Sequence, residues 1–189
     1  IMGILNITPD SFYDGENLKS LNIKKKFNKV VSSDIIDIGA ESTRPGAEPL
    51  TEKIELERIE NFLNLNLNHN FFSIDSYKPR VIEFCLKNGF NMINDISGGG
   101  DNFINIDIAC KYNVPIVLMH MKGNPANMQI KPKYNNLIDE ISCFFETRLN
   151  YISKIGMSMK NIILDPGIGF GKTFNDNYEI IKKINNFKK

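Results

Sequence analysis

Six short apolar runs recur along the chain, and each one ends in a cluster of polar side chains. They occupy residues 3–8, 35–44, 71–76, 92–98, 114–121 and 162–167. A strand buried on both faces reads as an unbroken stretch of Val, Ile, Leu and Phe, so each run is predicted as a parallel strand. Segments with helical spacing lie between them. Residues 22–32 place Ile23, Phe27, Val30 and Val31 on one face. Residues 51–65 open with Thr-Glu-Lys-Ile-Glu, an acidic first turn suited to a helix N-terminus. Residues 79–88 begin with proline, turn Val81, Ile82, Cys85 and Leu86 inward, and are followed by Gly89 as a C-terminal cap. Residues 105–112, 137–155 (closed by Gly156) and 177–187 continue the series.

A β-α alternation repeated six times implies a parallel sheet with right-handed crossovers. An open doubly wound sheet gathers ligands at one switch point and leaves several strand ends unused. Here every strand end carries polar groups, as in a barrel whose active site collects at the C-terminal ends of its strands. The predicted class is α/β, a TIM (β/α)₈ barrel with about six β/α units present, forming a partial barrel domain over residues 1–189. A complete barrel takes about 250 residues, so the chain is expected to be a fragment lacking strands 7 and 8. The Asn/Leu-rich residues 61–70 are expected to be a helix end plus a loop.

Composition narrows the partners. The formal charge of +1 gives no field that favours nucleic acid or an anionic membrane surface. No apolar run approaches the roughly 18 residues of a membrane span, and no signal peptide opens the sequence. The three cysteines are widely spaced and form no CxxC, which points to neither a disulfide framework nor a zinc knuckle. The expectation is a cytoplasmic protein with no nucleic-acid or membrane partner.

The chemistry sits at the strand ends. Residues 6–15 combine turn formers with Phe12 and Tyr13. They read either as a lid over a flat ligand or as an ordinary loop with its aromatics folded under. Residues 41–47 gather a carboxylate, two hydroxyls, Arg44 and a Pro-Gly turn. Arg44 could grip a carboxylate or phosphate bidentately, or simply pair with Glu41 or Glu48. Asp75, Asn94 and Asp165 each end a different apolar run, where an acid or amide is unusual unless paired or functional. Together they suit a heterocycle with an amidine-like edge. Asp37 and Asp95 could orient neighbours. His120 is read as a cavity wall of open role, and Met119 and Met121 as adaptable walls. Residues 165–173 are glycine-rich but lack the spacing of a phosphate-binding P-loop. Their glycines are expected to let backbone approach a ring, with Phe170 as a side wall.

These residues resemble the dihydropteroate synthases. The matching pieces are Asn6 to Phe12, Asp37 to Gly46, Ser73 to Pro79, Asn94 to Gly99, Met119 to Met121 and Asp165 to Lys172, in the family's order. The resemblance implies an enzyme of folate biosynthesis, a transferase joining 6-hydroxymethyl-7,8-dihydropterin diphosphate to 4-aminobenzoate, with Mg²⁺ and release of diphosphate. Carried over by position, Asp75, Asn94 and Asp165 would bind the pterin, Asp75 and Asp165 serving catalysis as well. Asn6 would contact Mg²⁺ and the diphosphate. Thr43 and Arg44 would belong to a second mobile loop, with Phe12 and Pro45 flanking the aminobenzoate. The resemblance also implies a homodimer when full length.

The family's later lysine loop and its Arg-x-His strand end have no counterpart among these residues. The fragment is therefore expected to be inactive and poorly folded by itself. Two other readings compete: a pterin-dependent methyltransferase domain, and a non-catalytic synthase-like paralogue. The loops at Asn6 and at Glu41 to Gly46 argue against the first, and the retained acids against the second.

Overall fold

Strand and helix alternate six times among the described residues of the computed structural model, which are 1–8, 16–42 and 49–188, with the backbone path alone for 16–20. The elements are β1 (Met2–Asn6), α1 (Glu16–Val30), β2 (Ile35–Gly39), α2 (Glu52–Leu63), β3 (Phe72–Asp75) and α3 (Pro79–Lys87). They continue with β4 (Met92–Asp95), α4 (Ile104–Tyr112), β5 (Ile116–Met119), α5 (Leu137–Lys154), β6 (Ile162–Asp165) and α6 (Phe174–Lys182). Each strand stops where its apolar run meets polar residues. No helix among the described residues is long and apolar enough to cross a membrane.

Chain contacts divide the protein into two compact units, and Asn94 and Asp95 mark the boundary. In the first, β1, β2, β3 and β4 pair in order, all parallel. Ile36, Ile38, Ile74 and Ile93 are fully buried strand residues, as are Ile59 of α2 and Val81, Ile82 and Cys85 of α3. The inward face foreseen for α3 is thus observed, with Leu86 also buried and Gly89 at φ +91° beyond the helix end. Thr51 caps α2, its side chain accepting from the Ile54 N–H at 3.4 Å. The face foreseen for α1 is correct at Ile23 and Phe27. It fails at Val31, which lies past the last helical turn and is exposed.

In the second unit, β5 pairs parallel with β6. Leu137, Ile138, Ile141 and Phe145 of α5 pack with Ile180 and Phe187. The final helix starts earlier than its apolar spacing indicates. Thr173 and Asp176 form a reciprocal capping box that fixes its start at Phe174. It ends at Lys182, and a separate 3₁₀ turn carries Phe187 into the core.

Candidate active site

In the first unit the unbroken register of four parallel strands brings their C-terminal residues into one row. Asn6 pairs with Gly39, Gly39 with Asp75, and Asp75 with Asn94. Neighbouring strands lie about 4.8 Å apart, so the row spans roughly 14 Å. Its glycine is a steric necessity. A Cβ on Gly39 would sit 2.8 Å from Asn6 Oδ1 and 3.2 Å from Asp75 Oδ2. The missing side chain leaves room for an amide oxygen and a carboxylate oxygen to lean over the same backbone.

Asp37 lies two residues before Gly39 and so on the same face of β2. Its carboxylate is 3% exposed and accepts from Asn94 Nδ2 at 2.9 Å. Burial pushes the Asp37 carboxyl above its ordinary value, opposed by the neighbouring Ser73 hydroxyl and the Asn94 amide. An ionised carboxylate can only accept, so the Asn94 arm facing it is the NH₂ group and Oδ1 is the other arm. The expectation that some acids orient neighbours is met here.

The turn after β3 carries a buried charge cluster. Lys78 Nζ donates to Glu55 Oε2 at 2.6 Å and to Glu41 Oε2. Glu41 also accepts from Tyr77 Oη at 3.0 Å and from the Leu50 N–H at 2.9 Å. Burial by itself would lower the Lys78 pKa, but its hydrogen bonds to both carboxylates outweigh it and hold the ammonium above its ordinary value. Glu41 thus pairs with Lys78, while Arg44, the arginine considered as its partner, lies outside the described residues. Arg58 donates to the Ala40 carbonyl at 2.6 Å.

The second unit builds a different arrangement. Met119 pairs in register with Asp165, and the His120 N–H donates to the Asp165 carbonyl at 2.9 Å. Asp165 Oδ1 accepts from the Gly167 N–H at 2.8 Å, which ties the carboxylate to the start of the glycine-rich turn. That turn packs on backbone. A Cβ on Gly167 would lie 2.1 Å from the His120 carbonyl, and one on Gly171 2.3 Å from the Lys122 carbonyl. The glycines foreseen as making room for a ring thus serve, at these two positions, to fit the turn against the segment after β5.

Lys172 then folds back, 3% exposed, with Nζ 3.1 Å from His120 Nδ1, 3.1 Å from the His120 carbonyl and 2.9 Å from the Phe170 carbonyl. Burial and the Lys172 charge push the His120 pKa down to about 4, and burial pulls Lys172 down to about 8. At neutral pH the Lys172 ammonium donates to a neutral imidazole, which leaves the proton of that ring on Nε2. Asp95 is structural. It accepts from the Ser97 and Gly99 N–H groups and from Asn105 Nδ2, at 2.8, 2.8 and 3.0 Å, and so shapes the turn after β4.

Of the residues foreseen for binding, Asn6, Asp75 and Asn94 share the row of the first unit. Met119, Asp165 and Phe170 belong to the second, Met119 being 3% exposed. Phe12, Thr43, Arg44 and Pro45 lie outside the described residues. Sequence reasoning passed over Lys78 and Lys172. Each looks like an ordinary surface lysine beside a turn, and only the long-range contacts with Glu55 and His120 reveal its burial. For Mg²⁺, no group of three His, Cys, Asp or Glu gathers among the described residues. The donor present is Asn6 Oδ1, in the space Gly39 leaves open. An amide oxygen is a hard donor of the kind Mg²⁺ takes, with its remaining ligands water and substrate oxygens.

The chain matches the model of the pterin-binding enzymes over residues 2–189. It is 40% identical to a dihydropteroate synthase of Clostridium beijerinckii, covering all of this chain and 69% of that protein. A dihydropteroate synthase from Clostridium difficile, solved in the presence of pteroic acid, is 35% identical with a TM-score of 0.82, over 97% of this chain and 70% of that one. The Xanthomonas albilineans dihydropteroate synthase with 4-aminobenzoic acid is 32% identical with a TM-score of 0.81, over 97% and 66%.

Proposed function

The chain belongs to the pterin-binding enzymes, and from that membership we propose that it acts as a dihydropteroate synthase in folate biosynthesis, condensing 6-hydroxymethyl-7,8-dihydropterin diphosphate with 4-aminobenzoate. The fold is accordingly α/β, with six β/α units of a (β/α)₈ barrel. The observation that carries the reading is the row Asn6–Gly39–Asp75–Asn94, which sets an amide, a carboxylate and a second amide side by side at strand ends.

In the reaction the amine nitrogen of 4-aminobenzoate bonds to the pterin methylene carbon. The carbon–oxygen bond to diphosphate breaks with its electron pair, and the amine loses a proton. Asp75 and Asp165 accept hydrogen bonds from the ring N–H and amino groups. Their charge stabilises the positive character that develops on the pterin as diphosphate departs. Asn94, fixed by Asp37, presents Oδ1 to the same ring. Met119 and Phe170 serve as apolar walls. Asn6 would hold Mg²⁺, which when bound neutralises charge on the leaving diphosphate. Thr43 and Arg44 bind anionic oxygens, and Phe12 and Pro45 flank the aminobenzoate. No covalent enzyme nucleophile is required.

The setting proposed is the cytoplasm and the assembly a homodimer. The 189 residues, which span 69% of the C. beijerinckii relative, are proposed as a partial barrel domain inactive by itself. The test is a pteroate-forming assay with both substrates and Mg²⁺, run on the complete gene product and on residues 1–189. Pteroate formation by the former alone is expected. No pteroate from the complete product would remove the reading, and robust turnover by the 189 residues would remove the claim of inactivity.

A further inference from the structure

The glycine-rich turn after β6 closes on a single residue of the neighbouring strand end. At its start, the Asp165 carbonyl accepts from the His120 N–H at 2.9 Å. At its end, Lys172 Nζ donates to His120 Nδ1 and to the His120 carbonyl, each at 3.1 Å, and to the Phe170 carbonyl at 2.9 Å. His120 thus receives both ends of residues 165–172. Between those ends, Gly167 and Gly171 are the positions where the turn presses on backbone. Tyr134 supports the same turn from the segment between β5 and α5, its Oη donating to the Gly171 carbonyl at 2.8 Å.

The contact at Lys172 is saturated. An ammonium has three N–H donors, and Lys172 finds three acceptors, none of them a carboxylate. Holding a charge out of water among neutral partners is costly, so this lysine is an expensive way to fill space. What it supplies is a tie between the turn and His120. The turn buries Gly167, Gly171 and Lys172 and leaves Asp165 and Phe170 half-buried. The residues that pack on the segment after β5 are therefore closed off, and the two assigned to the pterin keep part of their surface open.

Resting on the function proposed above, we propose that Lys172, supported by Tyr134, is a positioning residue that clasps residues 165–172 onto His120 and so holds Asp165 and Phe170 in place for the pterin ring.

The clasp depends on a protonated amine. A neutral amine has two N–H groups for three acceptors, and its lone pair then faces one of them. Burial pulls Lys172 down to about 8, so the third donor is lost near that pH. The neighbours hold steady there. His120 is already neutral, burial pushes the Tyr134 phenol up and keeps it a donor, and Arg148, pulled down to about 10 by burial, keeps its charge. The remaining charges that face the pair are Lys122, Glu140, Asp165 and Asp176.

Calorimetric titration of the complete gene product with 6-hydroxymethyl-7,8-dihydropterin diphosphate and Mg²⁺ tests the role without the second substrate. Lys172→Met removes the ammonium and is expected to weaken pterin binding about tenfold at neutral pH. Tyr134→Phe keeps the ring and loses one hydrogen bond. It is expected to fold normally and to weaken binding about two- to threefold, which keeps the test open if Lys172→Met does not fold. Ile180→Val trims the core between α5 and α6, and is expected to lower the melting temperature while leaving the affinity within about twofold. Between about pH 7 and about pH 9 the wild-type affinity is expected to fall about threefold or more, while that of Lys172→Met stays level. An affinity in Lys172→Met within about twofold of wild type, or one unchanged in Tyr134→Phe, overturns the proposal. So does an Ile180→Val variant that weakens the pterin as much as Lys172→Met does. A wild-type affinity that stays level across that pH range, or falls equally in Lys172→Met, also overturns it. A wild-type protein that binds no pterin diphosphate defeats the functional reading instead.

Discussion

Asn94 Nδ2 donates to Asp37 Oδ2 at 2.9 Å, linking a residue at the end of β4 to a buried carboxylate one layer down on β2. The bond decides which end of the Asn94 amide is left for a ligand. It also fixes that amide before any ligand arrives, so none of the binding free energy goes into ordering it.

Asp37→Asn tests that arrangement with two readouts of opposite sign. Burial raises the Asp37 pKa, so the folded protein takes up a proton more readily than the unfolded chain. The contribution of this group to stability therefore falls as pH rises from the unfolded pKa through the higher folded one. At neutral pH the ionised form is a cost, and the neutral variant is expected to melt at an equal or higher temperature. That advantage should vanish at a pH low enough to protonate Asp37 in both states. An asparagine can also present its own NH₂ to Asn94 and allow the amide to turn over. Pterin affinity is expected to fall about tenfold, matching the loss of a charge-assisted hydrogen bond worth about 1.5 kcal/mol. Calorimetric titration and thermal melts across pH check both.

The carboxylate of Asp75 is expected to matter in the transition state. Asp75→Asn keeps the shape and removes the charge, so kcat/KM for the pterin substrate should drop by about 100-fold or more, with the melting temperature little changed. A decline of less than about threefold would show that the ring is held elsewhere.

Strand ends were legible in the sequence because buried parallel strands are continuous apolar runs and their ends are abrupt. Asn6, Asp75, Asn94 and Asp165 stood out as polar residues where such runs stop, and the structure places each at the last or next-to-last position of its strand. The face of α3 followed from spacing alone. What escaped was long-range pairing. Nothing near Lys78 announces Glu41, 37 residues away, and nothing near Lys172 announces His120, 52 residues away. Glu55 read as one acid of a first turn suited to a helix N-terminus, and its full burial did not show in the sequence. Val31 erred the other way, since periodicity cannot see that α1 ends at Val30.

The His120–Lys172 contact makes a pH prediction. His120 titrates near 6.5 when unfolded and at about 4 in the folded protein. Between those values the unfolded chain binds a proton that the folded chain refuses, so this group's contribution to stability is lost as pH falls from about 6.5 toward about 4. Ring ¹⁵N shifts should report a neutral imidazole, protonated at Nε2, throughout the range above pH 5.5. Lys172→Met removes one of the two main causes and should raise the His120 pKa. Burial, the larger cause, should keep it below the ordinary value. A fully ordinary His120 in that variant would show that the lysine charge, not burial, sets the shift.

Gly39→Ala probes the centre of the row without replacing a charged group. Gly39 is not among the glycines with positive φ, so an alanine there suffers no backbone strain and the effect is steric. The new methyl would start 2.8 Å from Asn6 Oδ1 and 3.2 Å from Asp75 Oδ2, both nearer than a comfortable contact. Both oxygens belong to side chains at strand ends, so they can turn away at modest cost. The fold is expected to survive with a loss of about 1–3 kcal/mol, the usual range for overpacking. The amide oxygen faces the closer contact and should be displaced more. The Mg²⁺ concentration needed for half-maximal activity is therefore expected to rise by a larger factor than the pterin KM, and Gly39→Ser should behave likewise. If the pterin KM rises while the Mg²⁺ requirement stays put, the oxygen of Asn6 is not the metal's anchor.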